Sequence, residues 1–167
     1  MEKTSLTLDF AGKPLSFETG RLAPQATSSI LARLGDTVVL VTVVKGRIRD
    51  DIDYFPLSVE YTEKLYAGGR IKGSRWVKRE GRPTDDAILI GRLIDRSIRP
   101  LFSKEFKNEV QVVITVLSVD GVHEPDILAL NAVSAAIAIS SIPWNGPIAA
   151  IRMGTVKDDA TGKYELI

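Results

Sequence analysis

The chain of 167 residues contains no cysteine and a single histidine, His123. Without thiols it can form neither a disulfide framework nor a thiolate metal site. No apolar run is long enough to cross a bilayer. Residues 1–5 are charged and lead into an alternating segment, without the positive region before an apolar stretch that a secretory signal has. These absences exclude a disulfide-stapled secreted domain, and they predict a cytoplasmic protein without membrane contact.

Common catalytic patterns are missing as well, since the sequence has no Walker loop, no zinc-ligand spacing and no sequence-local triad. Asp50, Asp51 and Asp53 follow a predicted strand, but adjacent acids without a fixed scaffold usually form a solvated turn. His123 lies between a predicted strand and a predicted helix, yet it has no obvious nucleophile to serve. We therefore assign no catalytic residue and no metal ligand.

The composition, 44% apolar and 26% charged, is that of one folded domain with a core. Alternating and β-branched runs predict two hairpins and further strands. The run VVLVTVV, residues 38–44, is apolar on both faces, which predicts a central strand that is covered on both sides. The predicted strands are 6–10, 15–18, 29–34, 37–44, 56–61, 110–119, 147–154 and one that begins at 163.

Two helices interrupt these strands. Thr84 is a predicted N-cap followed by two acids, and Pro100 is expected to end that helix. The second runs from Asp126 to about Ser140 and is apolar almost all round, so it should be buried on most sides. This order predicts an α+β domain with a mixed sheet and packed helices. Because a strand has just begun when the chain ends, we expect the fold to be incomplete at the C-terminus.

Positive charge is concentrated between Gly68 and Phe102. Nine cationic and four acidic residues give this stretch a net charge of +5, whereas the whole chain has +1. Local cationic charge on a near-neutral protein is typical of a nucleic-acid or phosphate site. The alternative is a solvated or salt-bridged face.

On the predicted helix, three arginines share one side at 100° per residue. Ile88, Leu89, Leu93 and Ile94 are expected to face the core. Like charges at this spacing repel, so an anion should compensate for them. That anion is either a carboxylate of the chain, such as Asp95, or a phosphate. The arginines are Arg92, Arg96 and Arg99.

The preceding loop places Trp76 among cations and glycines. Bases stack on aromatic rings, and guanidinium groups pair with phosphates, so this pattern suits single-stranded nucleic acid. The alternative is a tryptophan that anchors the loop against its own domain. From the residues alone we predict an α+β domain that binds RNA or phosphate. The loop cations are Arg75, Lys78, Arg79 and Arg82.

Five long segments carry a more specific pattern. They are DYFPLSVEYTEKLYAGGRIKGS, REGRPTDD, LIGRLIDRSIRPLF, NEVQVVITVLSVD and IPWNGPIAAIRMG. In this order they resemble the first ribonuclease PH-like core of the bacterial polynucleotide phosphorylase family, over essentially the whole chain. The resemblance implies a ribosomal protein S5 domain 2-like fold, with residues 1–167 forming a truncated first core.

The resemblance also implies an activity. Members of the family are polyribonucleotide nucleotidyltransferases, which degrade RNA from its 3′ end by phosphorolysis in mRNA turnover. They form ring-shaped homotrimers, and each subunit adds a second core, KH and OB-fold modules. Single-stranded RNA and other RNA-degradation proteins are the implied partners. Mg²⁺ and inorganic phosphate would be held in the second core, outside this chain, so this portion should bind and channel RNA without catalysing its cleavage.

Site residues follow from the family's motifs. Its aromatic, aromatic, Arg, Arg pore loop falls on residues 76–79, where the second aromatic is Val77 and the first arginine is replaced by a lysine. Its GRP and RLIDR-x-IRP arginines fall on positions 82, 92, 96 and 99. We therefore predict RNA binding by Arg75, Trp76, Lys78, Arg79, Arg82, Arg92, Arg96 and Arg99.

The turn before the second helix departs from an active core. Where active cores have a phosphate-binding turn, this chain has Asp120 to Asp126, with acids that would repel phosphate. The resemblance therefore implies no catalytic residue here. Two other interpretations stay open: a stand-alone ribonuclease PH-like exoribonuclease, and a non-catalytic scaffold whose arginines pair across subunit contacts.

Overall fold

The computed structural model describes residues 2–10, 12–49, 52–71 and 82–157, and the backbone of 164–166. Its strands are β1 (Thr4–Phe10), β2 (Lys13–Thr19), β3 (Ser28–Leu34), β4 (Thr37–Ile48), β5 (Leu57–Glu63), β6 (Asn108–Ser118), β7 (Thr155–Lys157) and β8 (Tyr164–Leu166). Its helices are α1 (Asp85–Ile98) and α2 (Pro125–Ala138), and short 3₁₀ turns cover Leu65–Gly68 and Arg99–Leu101.

Six strands form one sheet in the order β1, β2, β3, β4, β6, β5. All neighbours are antiparallel except β5 and β6, which run parallel. Parallel strands need a crossover connection, and α1 lies in the one that joins β5 to β6. The mixed sheet and its packed helices confirm the predicted α+β fold, including both N-terminal hairpins.

The core lies between one face of the sheet and both helices. Val39, Val41 and Val43 of β4 are fully buried on this face, where α2 contacts β3 and β4. Tyr61 of β5 faces the same side because it is in register with Ile114, which in turn is in register with Val41. α1 covers this outer part of the sheet.

The prediction that β4 is covered on both faces is not confirmed. On its second face Leu40 is half-buried and Val44 is exposed. Within the described residues, α1 and α2 both lie on the opposite side of the sheet. A continuous apolar run therefore marks a central strand here without marking a second covering layer.

The predicted strand over 147–154 is wrong. This segment is extended but lies along α2, held there by side chains instead of a neighbouring strand. Asn131 Nδ2 donates to the Ala150 carbonyl at 2.9 Å, and the Ala150 N–H donates to Asn131 Oδ1 at 2.9 Å. The Ile148 N–H donates to Ser134 Oγ at 2.9 Å. Strand pairing begins only at β7, which pairs with β8.

An aromatic cluster holds the C-terminal end of α1. The rings of Phe55 and Phe102 are 4.7 Å apart, and those of Phe102 and Trp144 are 6.3 Å apart. Trp144 Nε1 donates to the Ile98 carbonyl at 3.2 Å, which satisfies one of the free carbonyls at the helix end. The position and direction of α1 are thereby fixed, and with them the arginines on its exposed side.

Candidate functional site

The start of α1 forms as the sequence predicts. Thr84 Oγ1 accepts a hydrogen bond from the Ala87 N–H at 3.2 Å, and two aspartates in the first turn complement the helix dipole. The helix buries Ala87, Gly91, Ile94 and Ile98. A Cβ on Gly91 would lie 3.7 Å from Tyr61 Cβ, so the helix packs close against β5.

The apolar face of α1 differs from the predicted one. Ile94 is buried, but Ile88, Leu89 and Leu93 are exposed. The difference arises because small residues at 87 and 91 form the seam against β5. The larger aliphatic side chains are therefore rotated toward solvent, and they share the exposed side of the helix with arginines.

Three of the predicted RNA-binding arginines are exposed along this region: Arg82 just before α1, and Arg92 and Arg96 on it. Within residues 82–157 and the other described ranges, none of the three forms an ion pair or hydrogen bond. Carboxylates of the described residues therefore do not compensate the charge of these three arginines. Their charge remains available to an external anion.

Arg99 is different, because its guanidinium group is engaged within the chain. It forms a bidentate pair with Asp95, with Nη2 at 2.6 Å from Oδ1 and Nε at 3.0 Å from Oδ2. It also donates to the carbonyls of Phe55 and Leu57, each at 3.1 Å. Arg99 therefore ties the end of α1 to the start of β5, a structural role that its position in the motif does not reveal.

The remaining predicted residues, Arg75, Trp76, Lys78 and Arg79, lie in 72–81, outside the described residues. Their assignment stays a prediction. One side chain that the sequence analysis did not select is Tyr66, 59% exposed in the 3₁₀ turn that leads to Arg70. An exposed aromatic next to a basic segment is a candidate stacking platform. The sequence could have indicated Tyr66, because it lies two residues before Gly68, the first glycine of the basic stretch.

A cavity of about 690 Å³ is lined by Arg82 together with Arg70. It lies between the end of β5, the 3₁₀ turn, the start of α1 and the turn after β6. In its wall, Tyr61 Oη donates to Glu63 Oε1 at 3.0 Å. Burial, and secondarily the Glu63 carboxylate, raises the pKa of the Tyr61 hydroxyl far above its ordinary value, so this hydroxyl stays a donor.

The turn between β6 and α2 is closed by its own carboxylate. Asp120 Oδ1 accepts from the N–H groups of Val122 and His123 at 2.9 and 2.8 Å, and Oδ2 accepts from the Asp36 N–H at 3.2 Å. His123 Nδ1 lies 2.6 Å from Oδ2, and His123 Nε2 lies 2.9 Å from Lys13 Nζ. Two backbone donors of this turn, the N–H groups of Val122 and His123, are therefore already occupied.

These contacts predict an acid-dependent stability. Hydrogen bonds from the backbone and side chain of His123 hold the pKa of Asp120 well below its usual range. A lowered native pKa stabilises the fold above the unfolded value, about 4, and this stabilisation is lost as the pH falls toward the native value. We expect Asp120→Asn to be less stable at pH 7, with the difference from wild type narrowing below about pH 4. Urea unfolding from pH 7 to pH 3 measures this difference, and a constant difference would contradict it.

The start of α2 carries acids that the structure neutralises internally. Arg152, from the extended segment along α2, forms ion pairs with both Glu124 and Asp126. The described residues contain no group of three or more acidic or histidine side chains that could hold a metal ion. The described residues therefore do not fit a Mg²⁺ site.

Comparison with known proteins agrees with this architecture. The model of the 3′ exoribonuclease family, domain 1, matches residues 11–143. The polyribonucleotide nucleotidyltransferase of Pelagibacter ubique is 55% identical over 160 residues, which are 95% of this chain and 22% of that protein. The enzyme of the same name from Halothermothrix orenii is 54% identical over 150 residues, 90% of this chain and 21% of that protein. The chain thus spans less than a quarter of the length of these relatives.

A solved structure shows the fold independently. The crystal structure of rice (Oryza sativa) Rrp46 superposes with a TM-score of 0.65 at 19% identity, covering 92% of this chain and 65% of that one. Neither α1 nor α2, nor any other helix in the described part of the chain, has the length and apolar content to span a bilayer. The family match over most of the chain and the shared architecture show that this chain belongs to the 3′ exoribonuclease family, with the fold of a ribonuclease PH domain.

Proposed function

We propose that this chain binds single-stranded RNA as part of a polyribonucleotide nucleotidyltransferase, which degrades RNA from its 3′ end by phosphorolysis. The observation that carries the proposal is the contrast along α1. Arg99 is engaged within the chain, whereas Arg82, Arg92 and Arg96 are exposed and unpaired among the described residues. Exposed guanidinium groups without a partner suit the phosphates of a strand.

The arginines act in this proposal by positioning the strand. Each guanidinium fork can donate two parallel hydrogen bonds to a phosphate, and the axis of α1 sets the spacing between Arg92 and Arg96. Arg75, Trp76, Lys78 and Arg79 belong to the same proposed surface, where they would grip the strand next to Arg82. Arg99 contributes indirectly, because it holds α1 against β5.

The chemistry of cleavage is proposed to lie outside this chain. The Val122 and His123 N–H groups in the turn before α2 donate to Asp120, and the acids at the start of α2 are paired with Arg152. Phosphate and Mg²⁺ would be held by other parts of the full-length protein, which we propose to be a cytoplasmic homotrimer. This chain would contribute RNA guidance and subunit contacts.

The test is RNA binding with reversed charge. We expect Arg92→Glu combined with Arg96→Glu to weaken binding of a labelled oligoadenylate by roughly tenfold or more, because two phosphate contacts become repulsive. The slope of log K against log salt should become shallower by about 1.4, since each lost contact to a single strand accounts for about 0.7. Fluorescence anisotropy at several salt concentrations measures both quantities.

Arg33→Glu is the matched control, because Arg33 is an exposed arginine on the sheet face away from the helices. It should leave both affinity and salt slope near the wild-type values. Equal losses in the control and in the double variant would show a general charge effect and would contradict a localised RNA site.

Two alternative functions have distinct outcomes. If the arginines only pair across subunit contacts, charge reversal at Arg82 should abolish assembly in analytical ultracentrifugation, whereas an RNA role leaves assembly intact. If the chain is a self-sufficient exoribonuclease, it should release nucleoside diphosphates from poly(A) in the presence of phosphate. We expect no such release from the 167-residue chain.

A further inference from the structure

The cavity of about 690 Å³ that Arg82 lines has an interior that the proposed phosphate contacts leave unused. Its volume lies within the range of roughly 300 to 1,000 Å³ that is typical of small-molecule sites. Side chains from four different segments converge on it. They include Leu65, Ala67, Pro83, Ala87 and Val119, all apolar.

The charges around this cavity distinguish between possible ligands. Arg70 and Arg82 line it, and both are exposed and unpaired among the described residues. Glu63 and Asp120 line it as well, so two carboxylates would oppose a small inorganic anion seated inside. A ligand that fits must therefore have an apolar body for the interior and negative charge only outside, near the arginines.

The cavity wall also presents a fixed hydrogen-bond acceptor. The Tyr61 hydroxyl donates to Glu63 Oε1 at 3.0 Å and so orients the carboxylate. The oxygen that accepts from Tyr61 is Oε1, and Oε2 is the second acceptor of the same carboxylate. A carboxylate oxygen held in this way can accept from an N–H group on the edge of a flat heteroaromatic ring.

We propose that this cavity holds one nucleobase of the bound RNA strand, turned out of the stack of its neighbours. The ring packs against the apolar wall formed by Ala67, Ala87 and Val119, and an N–H of the base donates to Glu63. The phosphates on either side of that nucleotide lie against Arg70 and Arg82. This inference rests on the proposed RNA function for the strand, but a free mononucleotide tests the cavity separately.

Gly68 offers a variant that blocks the cavity with little risk to the fold. It lines the cavity, its backbone is not in the left-handed region, and an added Cβ would meet no atom within 4 Å. We expect Gly68→Phe to fill the open space, and Gly68→Ala to have a smaller effect of the same sign. Ile139→Phe adds an aromatic ring at an exposed position near the end of α2 and serves as the control.

The first measurement uses adenosine 5′-monophosphate with the 167-residue chain, followed by amide chemical shifts. We expect shifts at Ala67, Ala87 and Val119 that saturate with ligand concentration in wild type and in Ile139→Phe. In Gly68→Phe, binding should be at least tenfold weaker. Absence of saturable shifts at these residues in wild type would overturn the cavity as a base site.

The second measurement compares oligoadenylate with an abasic ribose-phosphate oligomer of the same length. Base stacking and burial should make wild type bind the RNA roughly tenfold more tightly than the abasic oligomer. Gly68→Phe should lose this preference while its affinity for the abasic oligomer stays unchanged. Equal RNA affinities for Gly68→Phe and Ile139→Phe would overturn the inference.

The two measurements separate this inference from the proposed function. Saturable mononucleotide binding without binding of either oligomer would refute the RNA strand site and leave a nucleotide cavity. Strong binding of both oligomers without mononucleotide binding would support the phosphate contacts and refute the base site.

Discussion

Replacing Gly35 by alanine is expected to lower the melting temperature far more than the same substitution at Gly12, another turn glycine with positive φ. Gly35 has φ +60°, in the left-handed region where a side chain is strained. Its added Cβ would also lie 2.7 Å from His123 Nδ1 and 2.8 Å from Asp120 Oδ2. These atoms belong to the hydrogen-bonded group that joins three turns, so they can move only by breaking contacts.

Gly12→Ala is the matched control for this prediction. Gly12 also has positive φ, +76°, but an added Cβ there meets no atom within 4 Å. Its substitution should cost about 1 kcal/mol of backbone strain, or roughly 2 to 4 °C in a chain of this size. We expect the loss for Gly35→Ala to be about three times larger in thermal unfolding followed by circular dichroism. Equal losses would mean that the close approach to Asp120 and His123 does not stabilise the fold.

The sequence predicts those elements whose signals are local. Alternation gives the hairpins of β1 with β2 and of β3 with β4, and Thr84 gives the N-cap of α1. The small apolar residues of α2 predict its burial, which the structure confirms. In each case the residues that form the element also carry the pattern, so no distant contact is needed to recognise it.

The details of α1, of segment 147–154 and of the turn before α2 depend on distant partners. The buried face of α1 is set by the close approach of Gly91 to Tyr61 of β5. The periodicity of the helical residues carries no information about this contact. The segment 147–154 has strand-like residues, but Asn131 and Ser134 of α2 take its hydrogen bonds. The turn before α2 is recognisably acidic in the sequence, yet its closure involves Lys13 from a different hairpin.

The sequence also cannot separate the roles of the three arginines in the α1 motif. Helical spacing places Arg92, Arg96 and Arg99 on one side, and their spacing does not distinguish among them. The structural role of Arg99 becomes visible only from its hydrogen bonds to the carbonyls of Phe55 and Leu57, which lie more than forty residues earlier in the chain. A motif with three arginines therefore combines one residue that holds the helix with two that remain available to a ligand.

This division predicts opposite outcomes for two neighbouring substitutions. Arg99→Met should lower the free energy of unfolding by about 2 kcal/mol, because it leaves Asp95 and two carbonyls without their donor while keeping most of the side-chain volume. Arg96→Met should change stability by less than about 0.5 kcal/mol, because Arg96 is exposed and unpaired among the described residues.

RNA binding should show the reverse order. At a temperature where both variants are fully folded, Arg96→Met should weaken oligoadenylate binding and reduce the salt slope by about 0.7, whereas Arg99→Met should retain the wild-type slope. Urea unfolding and anisotropy titrations on the same samples measure both properties. If Arg99→Met instead keeps its stability and loses as much RNA affinity as Arg96→Met, then its contacts with Asp95 and β5 do not hold the helix, and Arg99 belongs with the RNA-binding arginines.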